Sequence, residues 1–130
     1  MDFSRRITLS ETYDEVIPRV KEALKAEGFG VLTEIDVRAT LKEKLDVDVE
    51  PQIILGACNP KLAHRALQID ARVATLLPCN VVVRTDGGQT VVEALDPKII
   101  ADVPGNPDLE PIAEVAGRRI KAALDALQPR

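Results

Sequence analysis

Both cysteines, the single histidine and two of the three asparagines fall in two short stretches of the chain. The first reads Gly56-Ala57-Cys58-Asn59-Pro60-Lys61-Leu62-Ala63-His64, the second Leu76-Leu77-Pro78-Cys79-Asn80-Val81. Each cysteine is followed directly by an asparagine. Asn59-Pro60 is a helix start, since Asn caps well and Pro suits the first helical position. A Cys58 thiolate would face the positive end of that helix, a placement that lowers a cysteine pKa. His64 follows about one turn later. The expectation is a site where Cys58, Asn59, His64, Cys79 and Asn80 meet a small ligand or a metal ion. Cys58 is expected to ionise more easily than a free cysteine. Cys79, entering an apolar strand from Pro78, is expected to be the more buried thiol. The same residues also have a plain structural reading: cysteines as small buried groups, Asn59 as a cap, His64 on a helix surface, Asn80 opening a strand.

Other chemistries find little support. There is no Cys-x-x-Cys and no second histidine, so zinc would need a carboxylate or a second chain to complete four ligands. Asp46, Asp48 and Glu50 alternate along one segment and share a face suited to Mg²⁺ or Ca²⁺. Counted from Asp46, however, the sixth and twelfth places hold Pro51 and Ala57 rather than the Gly and Glu of an EF-hand, and the segment reads as a solvated loop. Gly87-Gly88 lacks the Lys-Ser/Thr of a phosphate loop and reads as a turn. Two serines leave a Ser-His-Asp triad little to draw on. Arg118, Arg119 and Lys121 form the polar face of a helix.

These residues need elements to hold them. Phe3 to Leu9 alternates apolar and polar, as a strand does. Ser10 is a ready cap, and Thr12 with Glu15 offers a capping box for a helix carrying Tyr13, Val16, Ile17, Val20 and Leu24. Pro18 falls inside that helix, and Gly28 is its expected left-handed end. A second strand spans Phe29 to Val37, a weak helix Arg38 to Leu45, a third strand Gln52 to Ala57. The Asn59-capped helix bears Leu62, Ala63, Ala66 and Leu67. Val81 to Thr85 and Thr90 to Leu95 flank Asp86-Gly87-Gly88-Gln89, a hairpin signal. A final helix runs to about Leu127 with a stripe of Leu109, Ile112, Ala113, Ala116, Ile120, Ala123, Leu124 and Leu127. One hairpin among several helices points to α+β with an antiparallel or mixed sheet, helices on one face, and the first and last helices packed together.

The 130 residues make a single domain, 1–130, that buries about two thirds of its unfolded surface. With 45% hydrophobic and 29% charged residues the chain is not disordered. A net charge of −4 and only three aromatic rings argue against nucleic acid, which wants clustered cations and stacking platforms. No run of 18 apolar residues is present to span a membrane. The first residues lack the apolar core of a signal peptide, and two unclustered cysteines suit a cytoplasmic protein with reduced thiols. Few Asn and Gln with nine prolines fit a heat-stable protein or a GC-rich genome equally.

Three segments together resemble a known family: Glu27-Gly28-Phe29-Gly30-Val31-Leu32-Thr33-Glu34-Ile35-Asp36-Val37, then Ile54 to Pro60 with Ala63-His64-Arg65-Ala66-Leu67, then Leu76 to Val81. The chain is similar to the bacterial and archaeal domain-of-unknown-function family 302 over nearly its whole length. The resemblance implies a compact, two-layer α+β domain of the TATA-box-binding-protein-like type, with a curved, mostly antiparallel five-stranded sheet, and it implies dimers. It carries no catalytic residues, and likeness to a DNA-binding fold does not transfer DNA binding.

Three functional readings stand. The first is a non-enzymatic binding module, a small cytosolic homodimer holding a small ligand or metal near Cys58, Cys79 and His64. The second is a thiol enzyme or redox sensor that uses Cys58 with His64 or Asn59 assisting. The third is a purely structural dimer.

Overall fold

Local signals fix most element ends. In the computed structural model, which describes residues 2–129 and so leaves Met1 and Arg130 outside, the alternating start forms β1 (Ser4–Leu9). Thr12, not Ser10, caps α1 (Tyr13–Ala26): its hydroxyl accepts from the Glu15 amide at 3.3 Å. Pro18 lies on the exposed side of α1, where the carbonyl it leaves unbonded can meet water. Gly28, at φ +84°, ends α1 as expected, with the Phe29 amide bonded to the Leu24 carbonyl at 2.9 Å.

Next come β2 (Gly30–Asp36), α2 (Val37–Leu45), β3 (Gln52–Cys58) and α3 (Pro60–Ile69). A 3₁₀ segment, Ala71–Leu76, leads into β4 (Cys79–Asp86) and β5 (Gln89–Leu95), then α4 (Ile99–Asp102), a second 3₁₀ turn (Pro107–Leu109) and α5 (Glu110–Leu127). β4 begins two residues earlier than the sequence suggests, because Cys79 and Asn80 pair with Ala57 and Gly56 of β3. The sequence pattern also passes over α4 and both 3₁₀ segments, which are too short for periodicity to register. The β4–β5 turn has both glycines at positive φ, Gly87 at 58° and Gly88 at 79°, the geometry of a tight twisted hairpin.

The five strands form one antiparallel sheet in the order β1-β5-β4-β3-β2. The register lines up rows of side chains on the inner face. Ile7, Val92, Val83 and Ile53 form one row; Ala94, Val81 and Leu55 form the next; Cys79, Ala57 and Val31 close it. Leu32 is the extra residue of a bulge where β2 meets β3. Over this face α1 and α5 pack together, α1 contributing Val16, Val20 and Leu24, and α5 contributing Ile112, Ala116, Ile120, Ala123 and Leu124. Each such valine, leucine or isoleucine side chain contributes about 1.5–3 kcal/mol on full burial, and aliphatics do nearly all the work in a core with one aromatic ring, Phe29. The fold is thus α+β with a five-stranded antiparallel sheet, as the patterning indicates.

The outer face is mixed. Arg84 pairs with Glu93 across the hairpin at 2.7 Å, and Arg6 reaches Asp86 at 3.3 Å, beside Ile54, Val82 and the exposed Ile35. No helix among the described residues is long and apolar enough to cross a membrane.

Candidate functional site

The pocket that gathers the cysteines lies where β3 ends and β4 begins, under α3 and α5. β3 delivers Ala57 and Cys58 and turns at once into α3. Asn59 takes the extended conformation of a cap, φ −98° and ψ 103°, and its Oδ1 accepts from the Leu62 amide at 3.2 Å. Leu62 and Ala66, one turn apart, then face inward. Cys79 opens β4 directly opposite Ala57. Phe29 closes one side, and Ile112 and Ala116 of α5 close the top. What remains is an apolar hollow of about 30 Å³ that has Cys58, Asn59 and Cys79 in its wall. That is room for one water or one methyl-sized group.

Both thiols here are free and hold their protons more tightly than usual. Burial pushes the Cys58 thiol up. Burial, and secondarily the nearby Cys58 charge, push Cys79 up to about 11. The expectation of an easily ionised Cys58 is therefore overturned. The helix end that was to activate it is largely occupied: the Asn59 side chain takes the Leu62 amide and the Asn59 carbonyl takes the Ala63 amide at 2.9 Å. Pro60 has no N–H to give. What is left around the sulfur is an apolar wall, which disfavours the charged form. The expectation that Cys79 is the more buried thiol agrees with its 5% exposure against a partly exposed Cys58.

The other two expected members do not join. His64 sits two positions from Leu62 and two from Ala66, so it faces away from the pocket and is exposed. Asn80 alternates with the buried Cys79 and Val81 and is exposed on the outer sheet face. Asp46, Asp48 and Glu50 lie in the exposed loop after α2, where Lys42 pairs with Asp46 at 2.9 Å and with Asp48 at 3.4 Å. Among the described residues no three His, Cys, Asp or Glu side chains gather as a metal site.

Sequence reasoning missed two neighbours of the cap. The place a Cβ would take on Gly28 lies 3.0 Å from Asn59 Nδ2 and 3.2 Å from a terminal nitrogen of Arg119. Gly28 thus does two jobs, supplying a left-handed turn and letting the Asn59 amide approach. Arg119 belongs to a stretch that reads from sequence only as a polar helix face. A larger, open hollow of about 410 Å³ between the start of β1, α4 and α5 is walled by side chains of both charges, with Arg5 and Asp96 paired at 3.6 Å. It shares Ala113 of α5 with the lining of the cysteine pocket but takes in neither cysteine.

The comparisons agree with this layout. None of the curated proteins matches the chain. Among solved structures, an uncharacterised conserved DUF302 protein from Bacillus stearothermophilus is 35% identical, with a TM-score of 0.91 over 98% of this chain and 100% of that one. The model of a domain of unknown function, DUF302, matches residues 5–127. A match across almost every element that builds the sheet, the helical layer and the cysteine pocket means that this chain belongs to the DUF302 family.

Proposed function

We propose that this domain is a homodimeric cytosolic binding module that takes a small apolar group into the pocket beside Cys58, Asn59 and Cys79. The observation that supports it is the hollow itself: a dry-walled space at the junction of β3, β4, α3 and α5, bordered by two protonated thiols and one capping amide. The raised thiols count against the enzyme or redox-sensor reading, because the thiolate is the nucleophile and each group here resists forming it. Two unbonded cysteines lining one pocket suit a reducing compartment. The net charge of −4 favours a neutral ligand over nucleic acid.

Xenon under pressure is the direct probe, since apolar hollows admit it. The methyl NMR signals of Leu62, Ala63 and Ile112 should shift and saturate, and Ala63→Val, whose smaller addition fills the space, should abolish the response while the protein stays folded. Methyl signals that ignore xenon would leave a purely structural domain and overturn the reading.

A further inference from the structure

We propose that the open hollow between the start of β1, α4 and α5 is a second binding site, one that takes a small zwitterion of the α-amino-acid type with an apolar side chain. The site does not depend on the cysteine pocket, with which it has only Ala113 in common.

The first observation is Arg5. Ile7 and Leu9 of β1 face the helices, and by alternation Arg5 falls on the same side. Its register partner Ala94 stands in the inner row with Val81 and Leu55. A guanidinium on the covered side of a sheet needs partners for its N–H groups. Arg5 Nε is buried and has none among the described residues. A terminal nitrogen stands 3.6 Å from one Asp96 oxygen, an ion pair longer than a hydrogen bond. The other Asp96 oxygen already accepts from the Lys98 amide at 3.0 Å. An arginine fork grips a carboxylate by two parallel hydrogen bonds, and this fork has its Nε–H to spare.

The second observation is the floor, where Ala101, Ala113 and Gly117 are buried. Gly117 lies inside an 18-residue helix, a place where glycine is the poorest residue after proline. Neither backbone nor packing calls for it: the conformation is helical, and a Cβ there would meet no atom within 4 Å. What the missing side chain serves is the hollow. Its volume of about 410 Å³ falls in the range of small-molecule sites, about 300–1,000 Å³.

The walls select the class of ligand. Arg118 is engaged with Glu114 at 3.2 Å and Lys121 with Asp125 at 2.8 Å, whereas Lys98, Asp102 and Glu110 form no ion pair among the described residues. Unpaired groups of both signs around one hollow suit a molecule that carries both. Its carboxylate accepts from Arg5 Nε and Lys98, its ammonium donates to Asp102 or Glu110, and its aliphatic chain lies on Ala113 and Gly117. A plain anion would set its charge against the two carboxylates, and a plain cation would leave Arg5 unmet.

L-leucine is the probe, titrated into the isotope-labelled full chain and followed by NMR. The Arg5 Nε–H signal and the Ala113 and Gly117 amides should shift and saturate. Isocaproate, which lacks the ammonium, isoamylamine, which lacks the carboxylate, and free glycine, which lacks the side chain, should each bind at least tenfold more weakly. Arg5→Met should weaken leucine at least tenfold. Gly117→Leu fills the floor and should abolish the shifts while raising the thermal midpoint, because leucine is the better helix former. No saturable shift up to about 10 mM leucine overturns the site. Equal binding of any of the three fragments, or full binding by either variant, overturns it as well.

Discussion

The side-chain amide of Asn59 stands over Gly28, its nitrogen 3.0 Å from the point where a Cβ on that glycine would be. The end of α1 and the start of α3, with Gly28 and Asn59 31 positions apart in sequence, are thereby fitted together around one missing side chain. Gly28→Ala meets two penalties at once: the left-handed backbone at φ +84°, which costs an L-residue about 1–2 kcal/mol, and the crowding by Asn59 and Arg119. Urea unfolding should show a lower midpoint with an unchanged slope. Asn59→Ala should cost about 1 kcal/mol through the lost cap, and Asn59→Asp much less, because a carboxylate also accepts the Leu62 amide.

Gly56 permits a second close approach. A Cβ there would overlap the Thr33 hydroxyl and lie 2.9 Å from Pro78 Cγ. Gly56→Ala should destabilise by about 1–3 kcal/mol, the usual cost of overpacking. Adding Thr33→Ala removes the overlapping oxygen and should restore part of the loss. A double-mutant cycle with no coupling would refute the contact.

Thr90 ties β5 to the chain entering α1. Its hydroxyl, in a residue only 3% exposed, donates to the Glu11 carbonyl at 2.6 Å. Thr90→Val keeps the shape and removes the donor, so about 1–3 kcal/mol should be lost in thermal or urea unfolding.

Alkaline pH should weaken the fold through Cys79. Its folded pKa of about 11 lies above that of an unfolded cysteine, near 8.5. Below pH 8 both states keep the proton and the contribution is whole. Between about pH 8.5 and 11 the unfolded chain releases its proton while the folded one does not, so the folded state binds more protons and stability falls as pH rises. The full loss is about 3 kcal/mol at most. Cys79→Ala should flatten the decline between pH 8 and 10.5 relative to the parent. In iodoacetamide labelling at pH 7, both thiols should react more slowly than a free cysteine, with Cys58, the more exposed, ahead of Cys79.

Much of this architecture is readable from the chain because single residues announce it. Thr12 with Glu15 starts α1, Gly28 ends it, Asn59-Pro60 starts α3, and Gly87-Gly88 turns the hairpin, each with a local physical reason that the structure repeats. The membership of the pocket was only half legible. Cys58, Asn59 and Cys79 meet there, but His64 and Asn80 do not, and periodicity contained that answer: His64 is two positions from the inward Leu62, and Asn80 alternates with Cys79. Counting phase within each element, rather than proximity along the chain, separates lining residues from neighbours. The thiol acidity was not legible, since it depends on which donors Asn59 consumes and on walls drawn from α5. Arg119 beside Gly28 is a long-range contact that no local pattern encodes.

The strand order also sets a timetable for synthesis. β1 lies against β5, Ser4 paired with Leu95, so the first strand of the domain to be made waits for the last strand of the sheet. β2 and β3 can meet early, and β4 and β5 close through their glycine turn as soon as both emerge. The inner rows of valines stay bare until α5 follows, because α5 with α1 covers them. A nascent chain halted before Glu110 therefore exposes the sheet's apolar side with an unpaired or newly paired edge, the species most prone to aggregate. The slow event in reaching the native state should be this late capture of the N-terminal strand, and chaperone dependence should peak in the interval between release of β5 and docking of α5.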